Sequence, residues 1–302
     1  MVDPKIYPFK SHFLDIKGLK YHYLDEGTGY PVVMVHGNPS WSFYYRNLVN
    51  TLKSEYRTIV PDHIGCGLSD KPGDDRYHYT LGSRVDDLEA LLEHLGIREN
   101  ITLVVHDWGG MIGMAYASRH PQRIKRLVVM NTAAFHLPSA KRFPAALWLG
   151  RNTGLGAFLI RGFNAFSGVA ARICCKRNPL SRELRKAYTE PYNSWANRIA
   201  TARFVQDIPL KPEDASYAIV QDVQDGLQRF AKTPLLICWG VQDFVFSTEF
   251  LDEWLRRLPH AEHHRFEDCG HYILEDAKEE VIPLITDFLV RHPIEVKEPA
   301  GA

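Results

Sequence analysis

Three side chains that lie far apart in the sequence could carry one reaction: Asp107, Asp243 and His271. Asp107 closes the run Ile101-Thr-Leu-Val-Val-His-Asp107. It is followed by Trp108-Gly109-Gly110 and then by Met111-Ile-Gly-Met-Ala-Tyr-Ala. A β-branched apolar run reads as a buried strand, and the small-residue segment after the glycines reads as a closely packed helix. Strand, sharp turn, glycine and helix form the setting of a nucleophile elbow, whose tip is usually Ser. Here the tip is Asp107. A carboxylate at that place can attack an sp³ carbon and form an ester with the protein, which is a different chemistry from acyl transfer. His271 follows Gly270 late in the chain, where a base is expected, and Asp243 follows an apolar strand through Gly240-Val-Gln. The other strand end that could offer an acid carries Asn131, which cannot ionise, so Asp243 is the better partner for an imidazolium. Each residue also has a plainer reading, Asp107 as a helix cap and Asp243 as a turn residue. The nucleophile–acid–base order of the three selects the catalytic one.

Elements that could position these groups recur along the chain. His12 to Ile16 and Leu19 to Leu24 alternate around the turn Lys17-Gly18, as an antiparallel strand pair does. Pro31-Val-Val-Met-Val35 and Tyr56-Arg-Thr-Ile-Val60 read as buried strands, each running into a breaker-rich loop. A helix is expected over Phe43–Leu52. Another is expected over Leu81–Leu95, where Val85, Leu88, Leu91, Leu92 and Leu95 follow the helical period and Gly96 ends it. Ile124 to Met130, Thr233 to Trp239 and Ala261 to Phe266 are further strands; Glu249–Leu258 and Val281–Val290 are further helices. From Ala134 to Val223 no strand-like run occurs, and aromatic helical pieces take over. The division expected is an α/β core of residues 1–133 and 224–302, with a helical cap of residues 134–223 inserted in it. Residues after about Pro293 read as a disordered tail. Alternating strands and helices predict a mostly parallel, doubly wound sheet. Sites in such sheets lie at the carboxyl ends of strands, where Asn38, Asp107, Asp243 and His271 all fall.

Composition narrows the function classes. The chain of 302 residues is 45% hydrophobic, enough for one large α/β domain with an insertion. Its formal net charge is zero, which recommends neither nucleic acid nor an anionic membrane as partner. Five Cys without a CxxC pattern argue against a disulfide framework or a Cys-rich zinc site and suit a reducing cytoplasm. The N-terminal Met1-Val-Asp-Pro-Lys-Ile-Tyr-Pro has no signal-peptide core, and no apolar stretch approaches the roughly eighteen residues of a membrane span. No HxH or HExxH occurs, so no catalytic metal is called for, and Gly65-Cys66-Gly67 lacks the third glycine of a dinucleotide fingerprint. No cofactor is expected. His63 reads as a structural hydrogen-bonder, the side chain of His106 is expected to point away from the nucleophile, and the basic cluster Arg172 to Lys186 reads as a solvated face of the cap.

The segments His36-Gly37-Asn38-Pro39-Ser40-Trp41-Ser42, Val105-His106-Asp107-Trp108-Gly109-Gly110 and Asp268-Cys269-Gly270-His271 resemble the haloalkane dehalogenase family of α/β-hydrolases. The likeness extends over nearly the whole chain. Within that family, the pairing of Asn38 and Trp108 with the late Asp243 resembles the branch called subfamily III, which includes the β-lactone decarboxylases of olefin synthesis, and His36 to Arg46, Val60 to Pro72 and Tyr192-Asn-Ser-Trp-Ala-Asn-Arg198 look especially like those decarboxylases. Val105 departs from the general elbow pattern, where Gly is common. The resemblance implies that Asp107 displaces halide, that His271 with Asp243 activates the water that cleaves the ester, and that Asn38 and Trp108 hold the leaving group and the oxyanion. Side-chain chemistry agrees: an indole N–H is a donor with no acceptor, and a fixed donor aimed at developing charge is worth a few kcal/mol in the transition state. The plain readings are core packing for Trp108 and a turn residue before Pro39 for Asn38.

The function expected first is therefore hydrolysis of a carbon–halogen bond through an alkyl-enzyme ester. The alternative is decarboxylation of a β-lactone to a long-chain cis-alkene at the same site. Epoxide hydrolysis would use cap tyrosines, of which Tyr188, Tyr192 and Tyr217 are available. A non-catalytic ligand-binding fold is disfavoured by the complete triad, and a serine esterase by the missing elbow Ser. The substrate is expected to be small and apolar, with room for a homo-oligomer or for partner enzymes of olefin synthesis. Of the cap residues Phe135, Phe143, Leu147, Trp148, Leu155, Phe158, Leu159, Phe163 and Phe166, about half are expected to pack the cap's own core and the rest to line a channel.

Overall fold

In a computed structural model that describes residues 2–294, the strands assemble into a single eight-stranded sheet of order β1-β2-β4-β3-β5-β6-β7-β8. The chain runs β1 (His12–Ile16), β2 (Leu19–Glu26), β3 (Pro31–Val35), α1 (Arg46–Leu52), β4 (Arg57–Pro61), α2 (Leu81–His94), β5 (Ile101–Asp107), α3 (Trp108–Arg119) and β6 (Ile124–Thr132). Six helices follow without a strand among them: α4 (Ala145–Asn152), α5 (Gly154–Phe163), α6 (Ser167–Ile173), α7 (Arg182–Thr189), α8 (Ile199–Gln206) and α9 (Tyr217–Gly226). The alternation resumes with β7 (Leu235–Gly240), α10 (Thr248–Arg257), β8 (Glu262–Phe266), α11 (Ile273–Asp276) and α12 (Lys278–Arg291). β1 and β2 pair antiparallel, as do β2 and β4, while every pairing from β4 to β8 is parallel.

The central strands are apolar throughout because both faces of the sheet are covered. All seven residues of β5 are buried. Leu103 and Val105 enter one core layer with residues of α2, α3, α9 and α10, whereas Val104 enters the other with residues of α1, α11 and α12. Two expected helices have different bounds. The segment expected as Phe43–Leu52 is a 3-10 turn, Ser42–Tyr45, followed by α1. The last helix starts earlier than Val281, at Lys278, with Glu279 and Glu280 in its first turn, where acidic side chains suit the helix dipole. The expected tail beyond Pro293 falls mostly on residues 295–302, which lie outside the described residues.

The order of strands decides where a site can form. From β3 the chain moves outward to β4, then crosses back to place β5 on the other side of β3. The carboxyl ends of β3 and β5 therefore flank the switch point of the sheet, and a crevice opens there.

Candidate active site

Asp107 ends β5 with φ 53° and ψ −128°, a conformation that L side chains seldom adopt. It lets the carboxylate stand above the sheet while the chain turns at once into α3. The tight turn requires bare backbone around it. A Cβ on Gly109 would overlap the carbonyl of Val35, and one on Gly37 would overlap the Asp107 carboxylate itself. The loop after β3 can thus approach close enough for the backbone N–H of Asn38 to donate to Asp107 Oδ1 at 2.6 Å. That loop is fixed from below by buried histidines. His63 Nε2 donates to the His36 carbonyl at 2.9 Å, and His36 Nε2 accepts the His63 backbone N–H at 3.2 Å. Asp62 accepts from the Ser42 N–H at 2.6 Å and pairs with His22 Nδ1 at 2.8 Å. Burial alone would raise the Asp62 carboxyl, but His22, His36 and backbone N–H groups outweigh it and hold it far below its ordinary range.

The other two members of the expected set converge on Asp107. His271 Nε2 lies 3.5 Å from Asp107 Oδ2, and its Nδ1 lies 2.7 Å from Asp243 Oδ2. All three side chains are buried. Burial opposes a charge on His271, yet Asp243 and then Asp107 more than offset it and push the imidazole up to about 10. It is therefore a cation as long as Asp107 carries its charge; once that charge is lost its pKa falls and the neutral imidazole, able to accept a proton, becomes accessible.

Asn38 and Trp108 border the same space. One N–H of the Asn38 amide donates to the Thr201 carbonyl of α8 at 3.2 Å, which fixes the amide and leaves its second N–H for a ligand. The Trp108 indole N–H has no acceptor among the described residues. Its ring packs edge-on against Phe204 at 5.3 Å, and the buried Arg84 guanidinium lies 3.6 Å from the Phe204 centroid and 5.6 Å from that of Trp108. Arg84 is itself paired with Asp207 at 3.1 Å, so it fixes the two rings and its charge is balanced locally.

Two contributors escaped sequence reasoning. Asn131, considered as a source of acid and passed over, donates from Nδ2 to Asp243 Oδ2 at 3.0 Å and to the Gly240 carbonyl at 3.0 Å. It orients the acid rather than replacing it. His106 does point away from the Asp107 side of the turn, but there its Nε2 donates to the backbone carbonyl of His271 at 2.8 Å while its ring stacks on Tyr44 at 4.4 Å. Burial, then the neighbouring His271, lowers His106 to about 3, so it is neutral. The breaker-rich loops around 36–42 and 268–271 were visible signals, but the cross-chain hydrogen bonds were not.

Above Asp107 lies a cavity of about 370 Å³. Asn38, Asp107, Trp108 and His271 form its polar end. Phe135, Phe143, Leu147, Leu159 and Phe166 line its walls, opposite Phe246 and Phe250. The remaining four residues of the expected aromatic set, Trp148, Leu155, Phe158 and Phe163, are exposed on the outside. The cap's own core is small: Ile160, Ala202 and Val205, with Leu147 and Phe166 packed against them. Such an apolar chamber suits attack by a carboxylate, since water would weaken the nucleophile and screen the donors. Among the described residues no cluster of His, Cys, Asp or Glu could hold a metal ion, and no helix is long and apolar enough to cross a membrane.

Comparison with known proteins places this geometry in a family. The model of the alpha/beta hydrolase fold family matches residues 30–278. A cis-3-alkyl-4-alkyloxetan-2-one decarboxylase from Shewanella oneidensis is 64% identical over 282 residues, covering 93% of this chain and 89% of that one. A protein of the same name from Xanthomonas campestris pv. campestris is 49% identical, covering 95% and 98%. Among solved structures, the haloalkane dehalogenase DatA from Agrobacterium tumefaciens C58 superposes with a TM-score of 0.84 at 25% identity, covering 94% of this chain and 97% of that one.

Proposed function

The chain belongs to the α/β-hydrolase fold family, in the group of the haloalkane dehalogenases, and we propose that it decarboxylates cis-3,4-dialkyl β-lactones to cis-alkenes. Dehalogenation, the function expected first from sequence, uses the same floor of the cavity. The observation that carries the lactone reading is the identity to the two decarboxylases, 64% and 49%, against 25% to the dehalogenase DatA. The helices of residues 134–223, in this reading, act as the cap that encloses the two alkyl arms; the end of that segment falls within α9, which packs on α3.

The proposed steps balance without water. Asp107 attacks the ring carbon that bears the lactone oxygen, from the side opposite that oxygen. The carbon–oxygen bond breaks, and its electron pair leaves on the new substrate carboxylate. The His271 cation and the N–H donors of Asn38 and Trp108 face this developing charge, as preorganised donors should. Back-side attack puts the ester oxygen on the face opposite the carboxylate. The carbon–carboxylate bond can then break anti to the ester bond: its electrons form the alkene, CO₂ departs, and Asp107 leaves as a free carboxylate. One inversion followed by one anti elimination keeps two cis alkyl groups cis.

Haloalkane hydrolysis differs in its second half, where His271 must take a proton from water that attacks the ester. Turnover in ¹⁸O-labelled water separates the two. A cis-β-lactone should give alkene and CO₂ with no label in Asp107. If the lactone is untouched while a 1-bromoalkane yields alcohol and leaves ¹⁸O in the Asp107 peptide, the lactone reading fails.

A further inference from the structure

The exposed apolar side chains over the cavity are concentrated on one helix and its neighbours. Leu155 and Phe163 of α5 are 60% and 70% exposed, and Phe158 and Trp195 lie open beside them. Leu155 and Phe158, three residues apart, share one face of α5. Gly156 and Ile160 turn away from that face and line the cavity, and Leu159, at the edge between the two sides, reaches it as well. This helix is therefore apolar on both sides, unlike an ordinary surface helix. On the outer side the Phe158 ring meets Phe163 at 5.7 Å and Trp195 at 5.9 Å. The Arg161 guanidinium lies 4.6 Å from the Trp195 centroid. A shallow groove lined by Ala157, Ile199 and Ala202 runs beside these rings.

Charge is segregated in the same region. The whole chain has 36 basic and 36 acidic side chains, and that balance hides an asymmetry. Residues 134–182 contain eight Lys and Arg and no Asp or Glu. Among the described residues, Arg151 pairs with Asp214, and Arg177 with Asp268 and Glu280. Arg142, Arg161 and Arg172 have no acidic partner there. Asp74, which acts on Arg161 through its charge, is itself held by Arg203 at 2.5 Å.

We propose that this face docks on the surface of an anionic lipid bilayer, with α5 and Trp195 seated at headgroup level and Arg161 against lipid phosphates. Aromatic and aliphatic side chains beside a basic rim are the makeup of an interfacial surface. Trp and Arg can keep their polar ends wet while their apolar parts leave water. A second copy of the chain is the poorer occupant, because two faces of the same positive sign repel. Docking sets α5 between bilayer and cavity, so one helix layer separates the lipid phase from the chamber above Asp107. The docking does not depend on which leaving group the floor accepts.

The test is cosedimentation of the full chain with vesicles of phosphatidylcholine alone or mixed with phosphatidylglycerol. The wild type should bind the mixed vesicles, bind the neutral ones far less, and release as salt rises. The double variant Phe158→Glu/Trp195→Glu should weaken partitioning by about tenfold or more, and Arg161→Glu should fall between. Circular dichroism and turnover of a short-chain, water-soluble substrate should stay at wild-type level in both, which separates lost docking from lost folding. Failure to bind phosphatidylglycerol vesicles would overturn the proposal. So would binding that the double variant leaves intact. A wild-type dimer in sedimentation equilibrium that the double variant splits would assign the face to a second copy instead and equally overturn it.

Discussion

The floor of the cavity and its roof meet at Asp107 but are built by opposite rules. On the floor almost every polar group has a partner whose own position is fixed: Asn131 holds Asp243, Asp243 holds His271, His106 holds the carbonyl of His271, and the His36–His63 pair holds the loop of Asn38. The backbone is strained at Asp107 and the surrounding hydrogen bonds sustain it. In the roof, short helices cover the chamber and expose large apolar side chains to the outside. The roof has only a small core of its own, Ile160, Ala202 and Val205, and joins the floor through the main core and through buried hydrogen bonds. The Tyr192 hydroxyl donates to the Ser40 carbonyl at 3.0 Å, the Tyr188 hydroxyl donates to Glu275 at 2.5 Å, and Asn38 reaches Thr201. The floor is organised to hold charge in one geometry; the roof is organised to exclude water and to admit apolar chains of differing shape.

If that division is right, the largest losses come from the floor. Asp107→Asn keeps a side chain that tolerates positive φ and nearly the same volume, but removes the nucleophilic charge. Turnover should fall at least about 10⁴-fold, as it does when a covalent nucleophile is removed from other enzymes. Single-turnover kinetics on purified variant would check it, with mass spectrometry to exclude residual Asp. Retention of a tenth of the activity would mean that Asp107 is not the attacking group.

A smaller loss is expected one step back from the reacting atoms. His106→Phe preserves the stack on Tyr44 and deletes the donor to the His271 carbonyl. A buried carbonyl left without its donor costs about 1–3 kcal/mol of stability. A slightly misplaced imidazole should lower kcat by about ten- to a hundredfold. The readout that separates positioning from simple destabilisation is the split of effects: kcat should fall with KM nearly constant, and the pH profile should shift with the environment of His271. If kcat is unchanged while the denaturation midpoint drops, His106 serves packing alone.

These two variants also mark what could be read from sequence. The sheet was legible because strands covered on both faces are short apolar runs ending in breakers, and Val32 to Val35 or Leu103 to Val105 admit little else. The chain positions of Asp107, Asp243 and His271 were legible because each ends or follows such a run. The bond from His106 to His271 joins residues 165 apart, and that from Asn131 to Asp243 joins residues 112 apart. Neither leaves a periodic trace. α11, at four residues, is barely one helical turn and too short to show a period. The direction of the roof's aromatics was hidden for another reason: a helix apolar on both faces has no polar side to show which way it lies. Net charge was equally uninformative, since a sum of zero says nothing about where the signs sit.

The inner face of the roof should act through area rather than through any one contact. Each methylene moved from water onto Leu147, Leu159, Phe143 and Phe166 can contribute up to about 0.8 kcal/mol, or roughly fourfold in kcat/KM. Efficiency should therefore climb with alkyl length along a homologous series and level off when the chamber is full. The profile should be the same shape for lactones and for bromoalkanes, because the walls do not meet the leaving group. A flat or falling profile would show that the walls do not hold the chain.

The smallest expected effect tests whether Trp148 faces outward from the roof. Trp148 of α4 is 54% exposed and borders no cavity wall, although its neighbour Leu147 does. Were it part of a cap core, Trp148→Ser would open a large void and cost several kcal/mol, as buried Trp truncations do. As a side chain facing outward, it should change the free energy of unfolding by no more than about 0.5 kcal/mol. Phe166→Ala, one layer further in, provides the contrast: it removes a wall of the chamber, so it should both destabilise the fold by more and cut efficiency on long-chain substrates. Urea denaturation of both variants, read with turnover of short and long substrates, gives the comparison directly. If the Trp148 variant proves as unstable as the Phe166 one, the roof has an inner core that its exposed aromatics complete, and its outward face loses its meaning as a separate surface.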